Sequence, residues 1–155
     1  MVNSAQSISR SGWMATLAKA PLALLEECCA TLEAIPQYEF LRSPEIGLAM
    51  VRGRTEGTGQ PFNLGEMTLT RCVVRLEGPD SEAIAGFGYV AGRSQRHAEL
   101  AALCDALLQH PGWQERVQTQ VITPLLAAAQ DRQAQTAAQT EATRVNFLTL
   151  KRGES

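Results

Sequence analysis

The sequence predicts an α+β domain: an antiparallel sheet of about four to six strands flanked by N-terminal and C-terminal helices. Apolar residues recur at three- and four-residue intervals before Pro36 and again after Ser94. Between Tyr38 and Ala91 the period drops to two, as on strands with one buried face. The strand-like runs there are joined by loops too short for crossover connections, so antiparallel pairing is the simplest arrangement. Strand-like and helical sequence meet at Gly92-Arg93-Ser94.

Residues 1–6 are small and polar and read as a frayed end, with residues 7–35 helical. Trp13, Met14 and Leu17 mark a first helix, and Pro21 follows Ala20 where one helix stops and the next starts. Leu22, Leu25, Cys28/Cys29 and Leu32 form the stripe of the second, which Pro36 ends. Residues 37–93 read mainly as strands. Tyr38 to Arg42 is the first, Ser43-Pro44-Glu45 a turn and Ile46 to Arg54 the second, with Ile46, Leu48 and Met50 on one face. After the loop Thr55 to Pro61 come a short strand, Phe62 to Leu64, and a long one, Met67 to Leu76. Neither face of the long strand is purely polar, so each is expected to be partly covered. A turn-rich loop from Glu77 to Glu82 leads to the strand Ile84 to Ala91.

Ser94 is placed to cap a helix whose buried stripe is Leu100, Leu103/Cys104 and Leu107/Leu108, within a helical region spanning residues 94–141. His110-Pro-Gly112 ends that helix, Trp113 opens another, and Thr123-Pro124 reads as a restart or a kink. The Ala/Gln-rich stretch that follows forms helix readily but offers little apolar area, so it is expected to lie against a partner or another helix. Residues 144–151 return to alternation as a final strand.

A chain of 155 residues fits one domain with a core large enough to need neither disulfide nor metal. The net charge of −2 gives no general electrostatic case for nucleic acid or an anionic membrane. Cys28, Cys29, Cys72 and Cys104 lack C-x-x-C spacing and read as buried thiols of a reducing compartment. The run Ala20 to Leu25 is short and passes straight into Glu26-Glu27, so no secretion signal and no membrane span is expected, and the location read is cytoplasmic.

The junction offers a physical route to an anion: free amides at a helix start, with Arg93, Ser94, Arg96 and His97 in or beside the first turn. The alternative there is an ordinary strand-to-helix turn with a capping serine. His97 lacks catalytic or metal-binding company, since Glu99 lies two residues on and points elsewhere on a helix. The order H-x-E is not followed by the P-C-x-x-C of a zinc deaminase. Gly57-Thr-Gly59 lacks the Gly-Lys-Ser/Thr of a phosphate-binding loop and reads as a turn. Arg71 and Arg75 share one strand face and are candidates for forked pairing at an interface. No nucleophile elbow, carboxylate pair or nucleotide fingerprint is present, so the residues alone specify no enzyme.

Taken together, several blocks resemble the PhnG family, the G subunit of the bacterial carbon-phosphorus lyase machinery. They are Trp13-Met14, Tyr38-Glu39, Glu45-x-Gly47-Leu48, Gly57-Thr-Gly59, Phe62, Gly65, Thr68-Leu-Thr-Arg71 and Val74-Arg-Leu76. They continue with Gly88-Tyr89, Gly92-Arg93, Gln95, His97-Ala-Glu99 and Asp105-Ala-Leu107, then Arg144-Val145, Phe147, Thr149 and Arg152-Gly153. The resemblance spans nearly the whole chain and rests on the order and spacing of the blocks. Residues 78–85 look longer than the loop usual there, and the cysteines and Ala/Gln details are individual.

The resemblance implies an accessory subunit working with H, I and J subunits, I most directly, and with an ATP-binding-cassette-like subunit. It implies that the G, H, I and L subunits together couple a phosphonate such as methylphosphonate to C1 of the ATP ribose and release adenine. The nucleosidase chemistry would lie in I and the radical cleavage in J. ATP and phosphonate would be substrates of the complex, with no cofactor or metal bound by this chain and no catalytic residue to carry over. The alternative is an autonomous small enzyme or binding protein that takes a phosphorylated ligand at Arg93, Arg96 and His97.

Overall fold

The computed structural model describes residues 8–78 and 82–145. Two short helices, α1 (Arg10–Lys19) and α2 (Leu22–Ala30), precede three strands, β1 (Tyr38–Arg54), β2 (Pro61–Glu77) and β3 (Ala83–Ala91). Then come α3 (Gln95–Gln109), a single turn α4 (Gln114–Val117) and the long α5 (Thr123–Ala142). The sheet is antiparallel in the order β1-β2-β3.

The α+β class and the antiparallel pairing are as expected, but there are three strands rather than four to six among the described residues. The difference lies in two breaks that proved to be bulges. Ser43-Pro44 does not reverse the chain. β1 runs through it, with register shifts between Phe40 and Arg42 and between Arg42 and Glu45. As an edge strand, β1 can carry a proline that lacks the ladder donor. Gly65, at φ +152°, likewise joins the two runs expected on either side of it into the single strand β2, opposite a shift between Val51 and Arg52. A bulge and a turn share a local composition, and only the pairing partner tells them apart. The frayed end expected at residues 1–6 and most of the final strand at 144–151 lie outside the described residues.

The core is organised around α3. From Ala98 to Leu108 it is buried apart from Glu99, which is partly covered. Such a helix must be covered on all sides. One side meets the sheet, and α1, α2 and α4 lie against the rest of it. Gly86 and Gly88 allow the close approach to β3. A Cβ on Gly88 would overlap the Ala98 carbonyl, and one on Gly86 the Ala102 carbonyl. Glycines on the strand thus face alanines on the helix, and backbone packs directly on backbone.

Thr123-Pro124 proved to be a kink. The chain passes from α4 into α5 through a π turn, Gln118–Ile122, and Thr123 is helical rather than a cap. The wider turn accommodates the proline, which has no N–H and crowds the preceding turn. The Thr123 hydroxyl donates to the Gln118 carbonyl at 2.9 Å. Val117, Val121, Ile122 and Leu125 anchor this segment in the core. From Asp131 onward α5 is exposed all round.

Candidate functional site

The strand-to-helix junction is built by backbone geometry. Gly92 sits at φ +98°, a conformation that glycine adopts without strain. Its N–H donates to the Thr68 carbonyl at 2.9 Å, and its own carbonyl accepts from the buried Thr70 hydroxyl at 2.7 Å. Ser94 caps α3 as expected, its Oγ accepting from the His97 N–H at 3.3 Å. Gln95 Nε2 donates to the Pro44 carbonyl at 3.1 Å, which ties the β1 bulge to the start of the helix.

The four residues read as an anion cradle are not brought together as one. His97 is buried, with Nε2 2.8 Å from the Leu17 carbonyl. Since a carbonyl only accepts, Nε2 carries the proton, and the ring closes the C-terminus of α1. Arg96 pairs with Glu99 at 3.1 Å and lies 3.7 Å from Glu26. Ser94 is occupied by its cap. Arg93 alone of the four has an exposed side chain with no role in the turn.

Arg96 belongs instead to a polar group beside Tyr38. The Tyr38 hydroxyl donates to Glu99 Oε1 at 2.6 Å, and its pKa is pushed up to about 12 by burial and by the Glu99 carboxylate. Two shallow clefts flank this tyrosine. One of about 440 Å³ is lined by Ile35, Pro36, Gln37, Tyr38, Arg96 and Leu103. The other, of about 560 Å³, has Glu39, Arg75 and Glu77 in its wall. In both, carboxylates stand close to the arginine, which leaves little net positive potential for a phosphate.

Arg71 and Arg75 share a face, as expected, but their partners are in the same chain. Arg71 Nε pairs with Glu45, and Arg75 with Glu39 at 3.1 Å, both across the β1–β2 ladder. All four side chains are exposed. They lie on the sheet face turned away from α3, beside Val73, Phe87 and Tyr89. In this chain that face is open, so the cover expected on both sides of β2 exists on one side only.

A side chain that sequence reasoning left inside a family block proved to be the main polar hub. Asp105 is fully buried on α3. Its Oδ1 accepts from Arg10 Nε at 3.1 Å and Trp13 Nε1 at 2.9 Å. Its Oδ2 accepts from Arg10 at 2.7 Å, the Phe87 N–H at 3.0 Å and Gln109 Nε2 at 3.3 Å. The carboxylate thus joins α1, β3 and α3, and Arg10 also lies 5.6 Å from the centre of the Phe87 ring. The sequence signal was an acid within an otherwise apolar helical run. The hub is saturated by donors from its own chain and has no oxygen left for a ligand.

The cysteines are free and buried, as expected. Cys29 and Cys104 lie with Sγ atoms 3.6 Å apart. Their contact lowers the pKa of Cys29 and raises that of Cys104. Among the described residues no group of three or more His, Cys, Asp or Glu is arranged to hold a metal, and no helix is long and apolar enough to cross a membrane.

A cluster of exposed apolar side chains lies elsewhere. From the end of β3, where Ala91 pairs with Leu69, β1 and β2 continue as a two-stranded arm, Leu48–Arg54 paired with Pro61–Thr68, with Ile46 and Leu69 at its base. Leu48 is 66% exposed and Leu64 62%, and Ile46, Met50, Phe62 and Met67 are exposed with them. Gly57-Thr-Gly59 turns the chain at the tip, with Gly57 at φ +78°, as read from the sequence.

The family described as phosphonate metabolism protein PhnG matches residues 8–153 of the chain. The chain is also 42% identical, over 144 residues, to the alpha-D-ribose 1-methylphosphonate 5-triphosphate synthase subunit PhnG of Rhizobium meliloti (strain 1021). That match covers 91% of this chain and 87% of the relative.

Proposed function

Because the chain belongs to the PhnG family of phosphonate metabolism proteins, we propose that it is a subunit of a multi-subunit alpha-D-ribose 1-methylphosphonate 5-triphosphate synthase. The observation that carries this reading is the near full-length likeness to a relative that bears that name. The reaction is the coupling of a phosphonate to C1 of the ATP ribose with release of adenine. The partners are the H, I and J subunits, I most directly, together with an ATP-binding-cassette-like subunit.

The geometry supports an accessory role. Asp105 and His97 are consumed by the fold, Arg96 is held between two glutamates, and the clefts beside Tyr38 carry mixed charge. What the chain offers is surface: an apolar β arm, an open sheet face and a long exposed helix. Arg93, the solvent-facing cation at the start of α3, is the residue we assign to a substrate phosphate, in a site completed by other subunits. Arg71 and Arg75 lie on the open face and are assigned to a subunit interface, with their own carboxylate partners carried into it.

The test is co-expression of the tagged chain with the H, I, J and cassette-like subunits, followed by purification and size-exclusion chromatography. The chain should elute in the assembly and be needed for adenine release from ATP in the presence of methylphosphonate. A chain that elutes alone, while the other subunits release adenine without it, overturns the proposal.

A further inference from the structure

We propose that the β arm, Leu48–Arg54 with Pro61–Thr68, together with Ile46 and Leu69 at its base, inserts into a two-walled apolar cleft on a different subunit of the synthase, so that both faces of the arm are buried. This rests on the subunit reading above.

The register assigns each arm residue to a face. Ile46, Leu48 and Met50 pair with Thr70, Thr68 and Glu66 on the side toward which α3 lies. Gly47 and Ala49 pair with Leu69 and Met67 on the other side. The bulge at Gly65 then brings Phe62, opposite Gly53, and Leu64 to that second side, and the Leu64 side chain lies over Gly53. Each face therefore carries its own row of large apolar side chains.

In a half-buried strand one of these rows would be polar. A two-stranded hairpin is also marginal in water without cover. Long edge strands are ordinarily protected by charge, proline or a covering element, yet Ile46 to Val51 contains no charged residue at all. Only Glu66 interrupts the opposite strand, and Arg52, Arg54 and Glu56 gather toward the tip.

The same arrangement decides the occupant. Two copies of this chain meeting through one arm face would form an isologous contact and leave the other row in water. A cleft on another subunit covers both rows, and the arm calls for apolar walls with polar groups near the tip and one opposite Glu66, which pairs with Met50. The arm together with the adjoining Val73, Phe87 and Tyr89 approaches the ~20–30 residues per side of a stable interface.

The experiment uses the assembled complex and two single variants, Leu48→Asp on one face and Leu64→Asp on the other, with Glu27→Lys on α2 as the control. All three side chains are exposed, so circular dichroism of each isolated variant should match the parent. Each arm variant should lower the amount of chain retained by the tagged partner subunits by about tenfold or more, since each places a charge in a desolvated wall. The control should be retained as the parent is.

If the parent itself is not retained, the subunit reading fails. If the parent is retained and both arm variants are retained equally, the arm proposal fails while that reading stands. Loss from only one face overturns the two-walled cleft. An isolated parent that is dimeric and becomes monomeric in the Leu48→Asp or Leu64→Asp variant makes a second copy the occupant and overturns the proposal as well.

Discussion

Replacing Asp105 should be the most damaging single polar substitution in this chain. Its carboxylate accepts from Arg10, Trp13, the Phe87 amide and Gln109, and its side chain is fully shielded from solvent. In Asp105→Ala, Arg10 can turn into water, because 43% of its side chain is already exposed. The Trp13 indole N–H, which is buried, has no such exit, and the partly buried Phe87 amide loses its acceptor. Each unsatisfied buried donor costs about 1–3 kcal/mol. With the small cavity added, the loss comes to about 3–5 kcal/mol, a large fraction of the ~5–15 kcal/mol that holds a domain of this size. Asp105→Asn keeps the volume but turns an NH₂ toward donors, for a loss of about 2–3 kcal/mol. Arg10→Ala leaves the buried carboxylate with only neutral donors and no cation, and should cost about 2 kcal/mol. Urea unfolding of the isolated chain, followed by circular dichroism and tryptophan fluorescence, should rank them in that order with an unchanged dependence on urea. If Asp105→Ala costs less than about 1 kcal/mol, the hub argument is wrong. If Arg10→Ala costs as much as Asp105→Ala, the ion pair rather than the buried donors carries the energy.

Two further substitutions and one titration test the packing. Gly88→Ala drives a methyl group into the Ala98 carbonyl, with the Ala102 amide 2.9 Å away, and should cost about 3 kcal/mol. Gly47→Ala meets nothing within 4 Å and should change stability by less than about 1 kcal/mol, so equal effects in thermal melts would refute the close-packing account. The Tyr38 pKa is raised from 10.0 to about 12, so its contribution to stability is complete below pH 10 and is lost as pH rises toward 12. Cys72, raised to about 11 by burial and then by Glu99, acts in the same sense. Tyr38→Phe should therefore flatten part, not all, of the fall in urea midpoint between pH 10 and 12, and identical slopes in parent and variant would exclude this role.

The legibility of the chain followed the range of the interactions. Pro21 and Ser94 act through neighbouring backbone, and each marks a helix boundary where it was read, whereas Pro36, read as the end of the second helix, lies beyond Ala30, where α2 stops. Ser43-Pro44 and Gly65 read as breaks because their conformation depends on the opposite strand, and the β1–β2 pairing holds both as bulges in a continuous ladder. His97 stood among the candidate anion contacts because its acceptor, the Leu17 carbonyl, lies 80 residues away in sequence. Arg71 and Arg75 had a correct face but unforeseeable partners, since Glu39 and Glu45 reach them only through the β1–β2 register.

By itself the sequence determined the α+β class, the antiparallel pairing, the buried stripe of α3 and the family. Each follows from periodicity, punctuation or the spacing of short blocks along the chain. Only the tertiary structure decided which polar residues are consumed by the fold and which surfaces are left over. Burial is a property of what lies opposite a residue, so Leu76 and Leu48, similar in sequence context, end in the core and on an uncovered arm. α3 covers β2 where β3 continues the sheet beside it, and past that point the hairpin runs on with no covering layer among the described residues.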